Sequence, residues 1–315
     1  RRTEPAMPFH QILDPRDLPA SLRGGSLAIG NFDGVHRGHK AVLEAARALA
    51  KKGPALAVTF EPHPRSVLRP EEPLFRLSPP AAKAMLLERA GLDGLITFSF
   101  DAELARTSAA LFLEELVVHR LKAASVTVGY DFHFGRGREG TPQFLIDHGR
   151  GLGLDIAVVA PFVLGAETVS SSAVRAALSA GDVVRANRLL GHEWAVLGEV
   201  IHGEKRGRTL GYPTANMRLE PSCGLRHGIY AVRATIGGQR RPAVASFGRR
   251  PMFDNGPPLL ETFVFDIDED LYGRQLEVSF VDWIREEQRF DTLDALVARM
   301  EEDGRIARRA TAATA

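Results

Sequence analysis

A single cysteine, Cys223, stands in 315 residues, which excludes an internal disulfide framework and any zinc site built from several thiolates. One thiol fits a reducing compartment, and a cytoplasmic location is expected. Charge of either sign is also scarce in excess. Forty basic side chains face 39 acidic ones, so a net +1 gives no broad field for nucleic acid or an anionic membrane. No apolar run approaches bilayer-spanning length. The first residues carry charge with no apolar stretch behind it, so no secretory signal is expected. The Walker pattern Gly-x-x-x-x-Gly-Lys-Ser/Thr and the dinucleotide fingerprint are both absent. What is present is ordinary globular composition, 44% hydrophobic and 25% charged, in a chain long enough for two domains.

The most informative stretch is Gly30-Asn31-Phe32-Asp33-Gly34-Val35-His36-Arg37-Gly38-His39. Leu27-Ala28-Ile29 leads in as a buried strand, and Val42, Leu43, Ala46, Leu49 and Ala50 lead out along one helical face. Two histidines thus sit three apart where a strand turns into a helix. The first turn of a helix has unpaired N–H groups that bind anions, and glycines let backbone approach a ligand. Imidazoles donate hydrogen bonds and gain charge near neutral pH, which suits a triphosphate under attack. Two histidines at this spacing also occur on plain helix surfaces; the glycines, Asn31 and Asp33 shift the balance. No cysteine or third histidine lies near, which argues against a metal site.

Strand and helix signals alternate through the first half: strands near 55–60, 95–98, 125–129 and 154–159, and helices from Ser78-Pro79 to about Ala90, over 107–121 and from Thr141-Pro142. This rhythm predicts a mostly parallel sheet covered on both faces, with ligands beyond the strands' carboxyl ends. Polar clusters fall at those ends: Glu61-Pro62-His63-Pro64-Arg65, Gly129-Tyr130-Asp131-Phe132-His133-Phe134-Gly135, and Ser170-Ser171-Ser172 with Arg175. The serines alone are no more than a helix cap, but the arginine fork suits phosphate oxygens. Near 187 the rhythm changes to strands at 194–201, 229–236, 241–247, 260–266 and 275–280, the pattern of a small barrel, with a helix over 291–300. Between the first two strands, residues 203–216 hold glycines and basic side chains that suit either a polyphosphate wrap or a basic surface hairpin. The expected domains are 1–186 and 187–303, with 304–315 frayed.

The loop Gly-Asn-Phe-Asp-Gly-Val-His-Arg-Gly-His resembles the His-x-Gly-His signature of the nucleotidyltransferase superfamily. More narrowly, it resembles the first module of the bacterial bifunctional riboflavin kinase/FAD synthetase (FMN adenylyltransferase) family. Thr59-Phe60-Glu61-Pro62-His63-Pro64, residues 128–135 and residues 170–175 match that module's further motifs in order. Pro213-Thr214-Ala215-Asn216 resembles the riboflavin kinase signature. The resemblance runs from about residue 10 to 303. It implies an α/β protein: a Rossmann-like nucleotidyltransferase domain, then a small β-barrel with a terminal helix. It implies riboflavin plus ATP giving FMN, then FMN plus ATP giving FAD and pyrophosphate. Riboflavin, FMN and ATP are the expected partners.

The same resemblance places His36, His39, Ser171, Ser172 and Arg175 around the phosphates. Asn31, Asp33 and Gly34 contact ATP or FMN, and Phe60 and Asp131 lie toward the flavin, whose ring Phe60, Phe132 or Phe134 could stack on. In the second module it assigns Gly203, Lys205, Gly207, Arg208 and Gly211 to the nucleotide and Thr214 and Asn216 to Mg2+. Glu261 is the base for the riboflavin hydroxyl, and Arg285 borders the flavin. One departure is Gly248-Arg249-Arg250-Pro251-Met252-Phe253, where the family usually has threonine at Met252. The alternatives are a nucleotidyltransferase for another acceptor, or a catalytically weakened flavin-binding protein.

Overall fold

Strand–helix alternation over the first half builds one parallel sheet, and strand-rich sequence over the second builds one antiparallel sheet. The structure, a computed structural model, describes residues 8–51, 53–202, 214–248, 258–267 and 269–313. It divides into two compact units. The first holds the chain up to Leu74 together with Ser78–Ser170, and the second holds Phe75–Leu77 and everything from Ser171 on.

In the first unit, β1 (His10–Leu13), β2 (Ser26–Ile29), β3 (Ala55–Glu61), β4 (Gly94–Ser99), β5 (Ser125–Gly129) and β6 (Asp155–Val159) lie in the order β1-β4-β3-β2-β5-β6, all parallel. The chain steps outward from β2 through β3 to β4, then returns to the other side of β2 as β5. The loops after β2 and β5 therefore open at the reversal point, where ligands of such sheets bind. Period-two alternation fills both faces. Leu27, Ile29, Leu56 and Val58 join one buried cluster, while Ala28, Ala55 and Ala57 join the other beside Val42, Leu43 and Ala46 of α1 (Arg37–Ala50). The alanines on that face leave room for the helix.

Three local expectations are corrected. Ser78 does not cap the next helix. The short α2 (Pro64–Leu68) comes first, and α3 (Pro80–Arg89) then begins from Pro79 with no side-chain cap. The helix expected over 107–121 is present, but it starts at Ala109 and changes form along its length. Thr107 ends α4 (Ala102–Arg106), Ser108 caps one turn of α5 (Ala109–Leu111), and Phe112–Arg120 continues as a π-helix. There the Leu121 N–H donates five residues back, to the Leu116 carbonyl. Phe112, Leu113, Leu116 and Val117 form the buried face of the π-helix. The third correction is β1, a four-residue edge strand too short to signal itself. The unit is completed by α6 (Pro142–Gly151), capped by Thr141 as its sequence implies, and by the small hairpin of β7 (Val163–Leu164) and β8 (Glu167–Thr168).

The second unit opens with α7 (Ser171–Ala180) and α8 (Val183–Leu190). Its six strands are β9 (Ala195–Glu199), β10 (Ala215–Arg218), β11 (Gly228–Ile236), β12 (Gln239–Gly248), β13 (Leu259–Val264) and β14 (Gln275–Arg285), in the antiparallel order β10-β13-β12-β11-β14-β9. A bridge between Ile201 and Asn216 joins the two ends of the sheet, so the barrel is nearly closed. Asn187 on α8 pins that helix to the barrel, donating to the Phe280 carbonyl and accepting from the Trp194 N–H.

Two differences stand out here. The strand β10 is not signalled by the sequence, because its four residues adjoin the glycine- and basic-rich stretch 203–216, which reads as a connection. The terminal helix α9 (Leu293–Ala313) does not stop at Met300 or fray from 304. Asp303, Ala307 and Thr311, four apart, are all buried against the barrel. Tertiary burial thus carries the helix through Gly304.

Candidate active sites

In the first unit, β2 ends and the chain turns through the loop to α1. Phe32 and Val35 adopt left-handed backbone at φ 48 and 43, and Gly34 does so at φ 82. For non-glycine residues that conformation costs on the order of 1 kcal/mol or more each. It persists because both side chains are buried, at 1% and 0% exposure. The Gly34 N–H donates to the Ser78 hydroxyl at 2.7 Å, and the Ser78 N–H donates to the Asp33 carboxylate at 2.9 Å. Asp33, itself buried, is therefore turned into the protein as a brace on the loop.

His36 is the N-cap of α1, and its Nδ1 accepts from the His39 N–H at 3.2 Å. A neutral imidazole that accepts at Nδ1 carries its proton on Nε2. The His36 and His39 rings stack with centroids 3.6 Å apart, and Phe32 meets His39 edge-on at 5.3 Å. A Cβ at Gly38 would stand 3.2 Å from the His36 ring, so glycine leaves that ring its place. Burial first, and then the Arg37 charge, hold the Lys40 ammonium below its ordinary value, with Glu44 partly offsetting them. A polyphosphate at this helix start would relieve that crowding of positive charge.

The other residues expected at the phosphates and the flavin are placed as follows. Asn31 accepts at its backbone carbonyl from the Thr59 hydroxyl at 3.2 Å. Asp131 follows β5 and is exposed, with its carboxylate folded toward Gly129. Phe60 is core-packed against Phe100 and Phe112 and only 8% exposed. The half-buried Phe132, stacked on Phe134 at 5.4 Å, offers the more accessible aromatic face. Ser171, Ser172 and Arg175 lie in the first turns of α7, in the second unit, where the Arg175 Nε donates to the Phe75 carbonyl at 2.6 Å.

The second centre is made by strand register. Asn216 of β10 lies directly opposite Glu261 of β13, and Glu261 opposite Ser246 of β12. Asn216 is 3% exposed; its Nδ2 donates to the Thr214 carbonyl, and its Oδ1 has no hydrogen-bond partner among the described residues. A buried amide oxygen without a donor fits a hard cation or a donor brought by a ligand. Among the described residues no group of three or more histidine, cysteine, aspartate or glutamate side chains could hold a metal. A cation here would therefore rely on the Thr214 hydroxyl, Asn216 Oδ1 and phosphate oxygens, a donor set suited to magnesium.

Arg285, at the end of β14, is clamped by Asp303 of α9 through Nε and Nη2, at 2.9 and 2.6 Å. Glu287 packs its carboxylate against Gly248. Partial burial and then the nearby Glu261 push Glu287 up, while His227 and Arg285 pull the other way. Gly203, Lys205, Gly207, Arg208 and Gly211, and the departure at Met252, lie outside the described residues.

The sequence did not reveal Ser78, Thr59, Lys83, Ser246, Glu287 or Asp303 as parts of these centres. Lys83 carried one signal: a lysine at i−4 from Leu87 on the buried side of α3, between Ala82 and Ala84.

Comparison with known proteins covers both units. A family model described as FAD synthetase matches residues 18–173, and one described as riboflavin kinase matches residues 190–311. A bifunctional riboflavin kinase/FMN adenylyltransferase of Escherichia coli K12 is 38% identical over 292 residues, covering 92% of this chain and 93% of the relative. One from Pseudomonas fluorescens is 40% identical over 302 residues, covering 95% and 97%. A crystal structure from Streptococcus pneumoniae, titled as a macrolide-efflux protein, superposes with a TM-score of 0.83 at 30% identity, covering 95% of this chain and 98% of that one. No helix among the described residues here is long and apolar enough to cross a membrane. Two domain matches in order, and relatives aligned over nearly their whole length, establish that this chain belongs to the bifunctional riboflavin kinase/FMN adenylyltransferase family.

Proposed function

We propose that the barrel phosphorylates riboflavin to FMN and that the parallel-sheet unit adenylylates FMN to FAD, one ATP serving each step. The observation that carries this reading is the presence, in one chain, of two unlike clusters whose chemistry suits phosphate. One is a stacked histidine pair at a helix start. The other is a buried amide oxygen with no donor among the described residues, opposite a strand glutamate. The proposed division is 1–186 for adenylyl transfer and 187–303 for the kinase. The proposed setting is the cytoplasm, where ATP is abundant.

In the kinase, Glu261 takes the proton of the riboflavin 5′-hydroxyl as its oxygen bonds to the γ-phosphorus and ADP leaves. Thr214 and Asn216 Oδ1 hold Mg2+, which screens the phosphate charge when bound. Arg285, fixed by Asp303, borders the flavin by its remaining face. In adenylyl transfer, an FMN phosphate oxygen bonds to the α-phosphorus of ATP and the bond to pyrophosphate breaks. His36 Nε2–H and His39 donate to the phosphate oxygens. Asn31 orients them, Gly34 lets the backbone approach, and Asp33 holds the loop. Ser171, Ser172 and Arg175 bind the departing charge. Such a reaction needs alignment and charge neutralisation more than covalent help. Asp131 and an aromatic face, Phe132 rather than the core-packed Phe60, border the flavin ring.

The test is chromatography of products from riboflavin, ATP and magnesium over time. FMN should appear first and FAD follow. Riboflavin and supplied FMN both left unchanged would end the proposal.

A further inference from the structure

Lys83 is 1% exposed, on the buried side of α3. An ammonium is strongly penalised in such a place unless paired and hydrogen-bonded. Its Nζ donates to the Glu61 carboxylate at 2.8 Å and to the Thr59 hydroxyl at 3.2 Å. Thr59, also 1% exposed, donates in turn to the Asn31 carbonyl at 3.2 Å. A hydroxyl has one proton. Having accepted from the ammonium, that of Thr59 points at Asn31, and the charge at its back strengthens the bond. Asn31 is the residue at which β2 gives way to the left-handed Phe32 and the histidine loop.

The segment just ahead of the same helix is joined to that loop a second time. Ser78, two residues ahead of α3, accepts from the Gly34 N–H and donates to Asp33. Ser78 and the helix that follows it therefore brace the loop on both sides of the left-handed Phe32. The first brace ends on the peptide of the residue proposed to orient phosphate.

We infer that Lys83 and Thr59 are positioning residues of adenylyl transfer, an ammonium-to-hydroxyl relay that sets Asn31 and the start of the histidine loop against the nucleotide. The inference rests on assigning that loop to the FMN-to-FAD step. Neither residue touches the reacting atoms; each acts through the Asn31 peptide. Lys83 pairs with Glu61 for charge, so the relay's function is carried by Thr59 Oγ1, which separates two roles that a lysine variant alone would confound.

The test compares Thr59→Val, which keeps the volume and loses the hydroxyl, with Thr59→Ser, which keeps the hydroxyl and loses a methyl. Both are made in the full chain and both activities are measured on the same preparation. For FMN adenylylation, Thr59→Val should lower kcat about tenfold with the KM for ATP within about twofold, because orientation rather than ground-state binding is lost. Thr59→Ser should stay within about twofold of the parent. Riboflavin phosphorylation should be unchanged in both. A packing role alone gives the opposite order, with serine harmful and valine harmless, and that result overturns the inference. Lys83→Met should lower kcat at least as far as Thr59→Val, with a melting transition lower by about 10 °C because the Glu61 carboxylate loses its ammonium partner. If it does not fold, the Thr59 pair still decides. His36→Ala is measured alongside. If it leaves FAD formation intact, the assignment of the loop has failed; if it abolishes FAD formation while Thr59→Val does not, only the relay has failed.

Discussion

The two centres are built in opposite ways. The histidine centre is nearly contiguous: ten consecutive residues give the strand end, the turn, the cap and both imidazoles, and distant residues only brace them. The barrel centre is dispersed. Asn216, Ser246 and Glu261 come from three strands, and only antiparallel register sets them side by side. A contiguous centre is vulnerable to local geometry; a dispersed one depends on pairing across the sheet.

The sharpest way to break this comparison is to disable one centre and watch the other. Glu261→Gln should lower FMN formation by about 10²–10⁴-fold while FAD formation from supplied FMN stays within twofold. His36→Ala should do the reverse, with adenylylation down about 10²–10³-fold and phosphorylation intact. Loss of both activities from either change, in a folded protein, would abolish the division of labour. A finer probe is Gly38→Ala. Its Cβ would press the His36 ring from 3.2 Å. Displacement by a few tenths of an ångström should slow adenylylation on the order of several-fold, since about 1 Å can cost 10². An unchanged rate would show that ring placement is not limiting.

The smallest effect concerns pH and the barrel. Glu287 is pushed up by partial burial and by Glu261. A carboxyl raised in the folded state favours folding while protonated, and that contribution is lost as pH rises through its raised value. Glu287→Gln cannot ionise, so it should be more stable than the parent at about pH 8 and no more stable at about pH 4. The gain is under about 1 kcal/mol, since solvent screens the group. Urea melts at the two pH values check it; an equal gain at both would remove the ionisation account.

Much of the fold was legible because its signals are local. Apolar runs gave five of the six strands of the parallel sheet, β2 to β6, and Thr141 gave the start of α6. Ser78-Pro79 misled because a serine before proline looks the same whether its hydroxyl caps a helix or braces a loop 44 residues away. Residues 107–121 read as a helix, and a helix is there, but its π form was not legible because the buried pairs Phe112/Leu116 and Leu113/Val117 suit α-spacing equally well. Gly304 looked like a stop, but Asp303 pairing with Arg285 and burial of Ala307 carry α9 onward.

By itself the sequence determined the class of each unit, the histidine loop and the two signature sets that place the chain in its family. Those are written in spacing within a few residues. Tertiary structure alone decided that Asp33 faces inward to Ser78, that Lys83 is buried against Thr59 and Glu61, and that Asn216 meets Glu261. The physical reason is range. Charge pairing, desolvation and strand register depend on what arrives from far along the chain, and no short window of residues contains both partners.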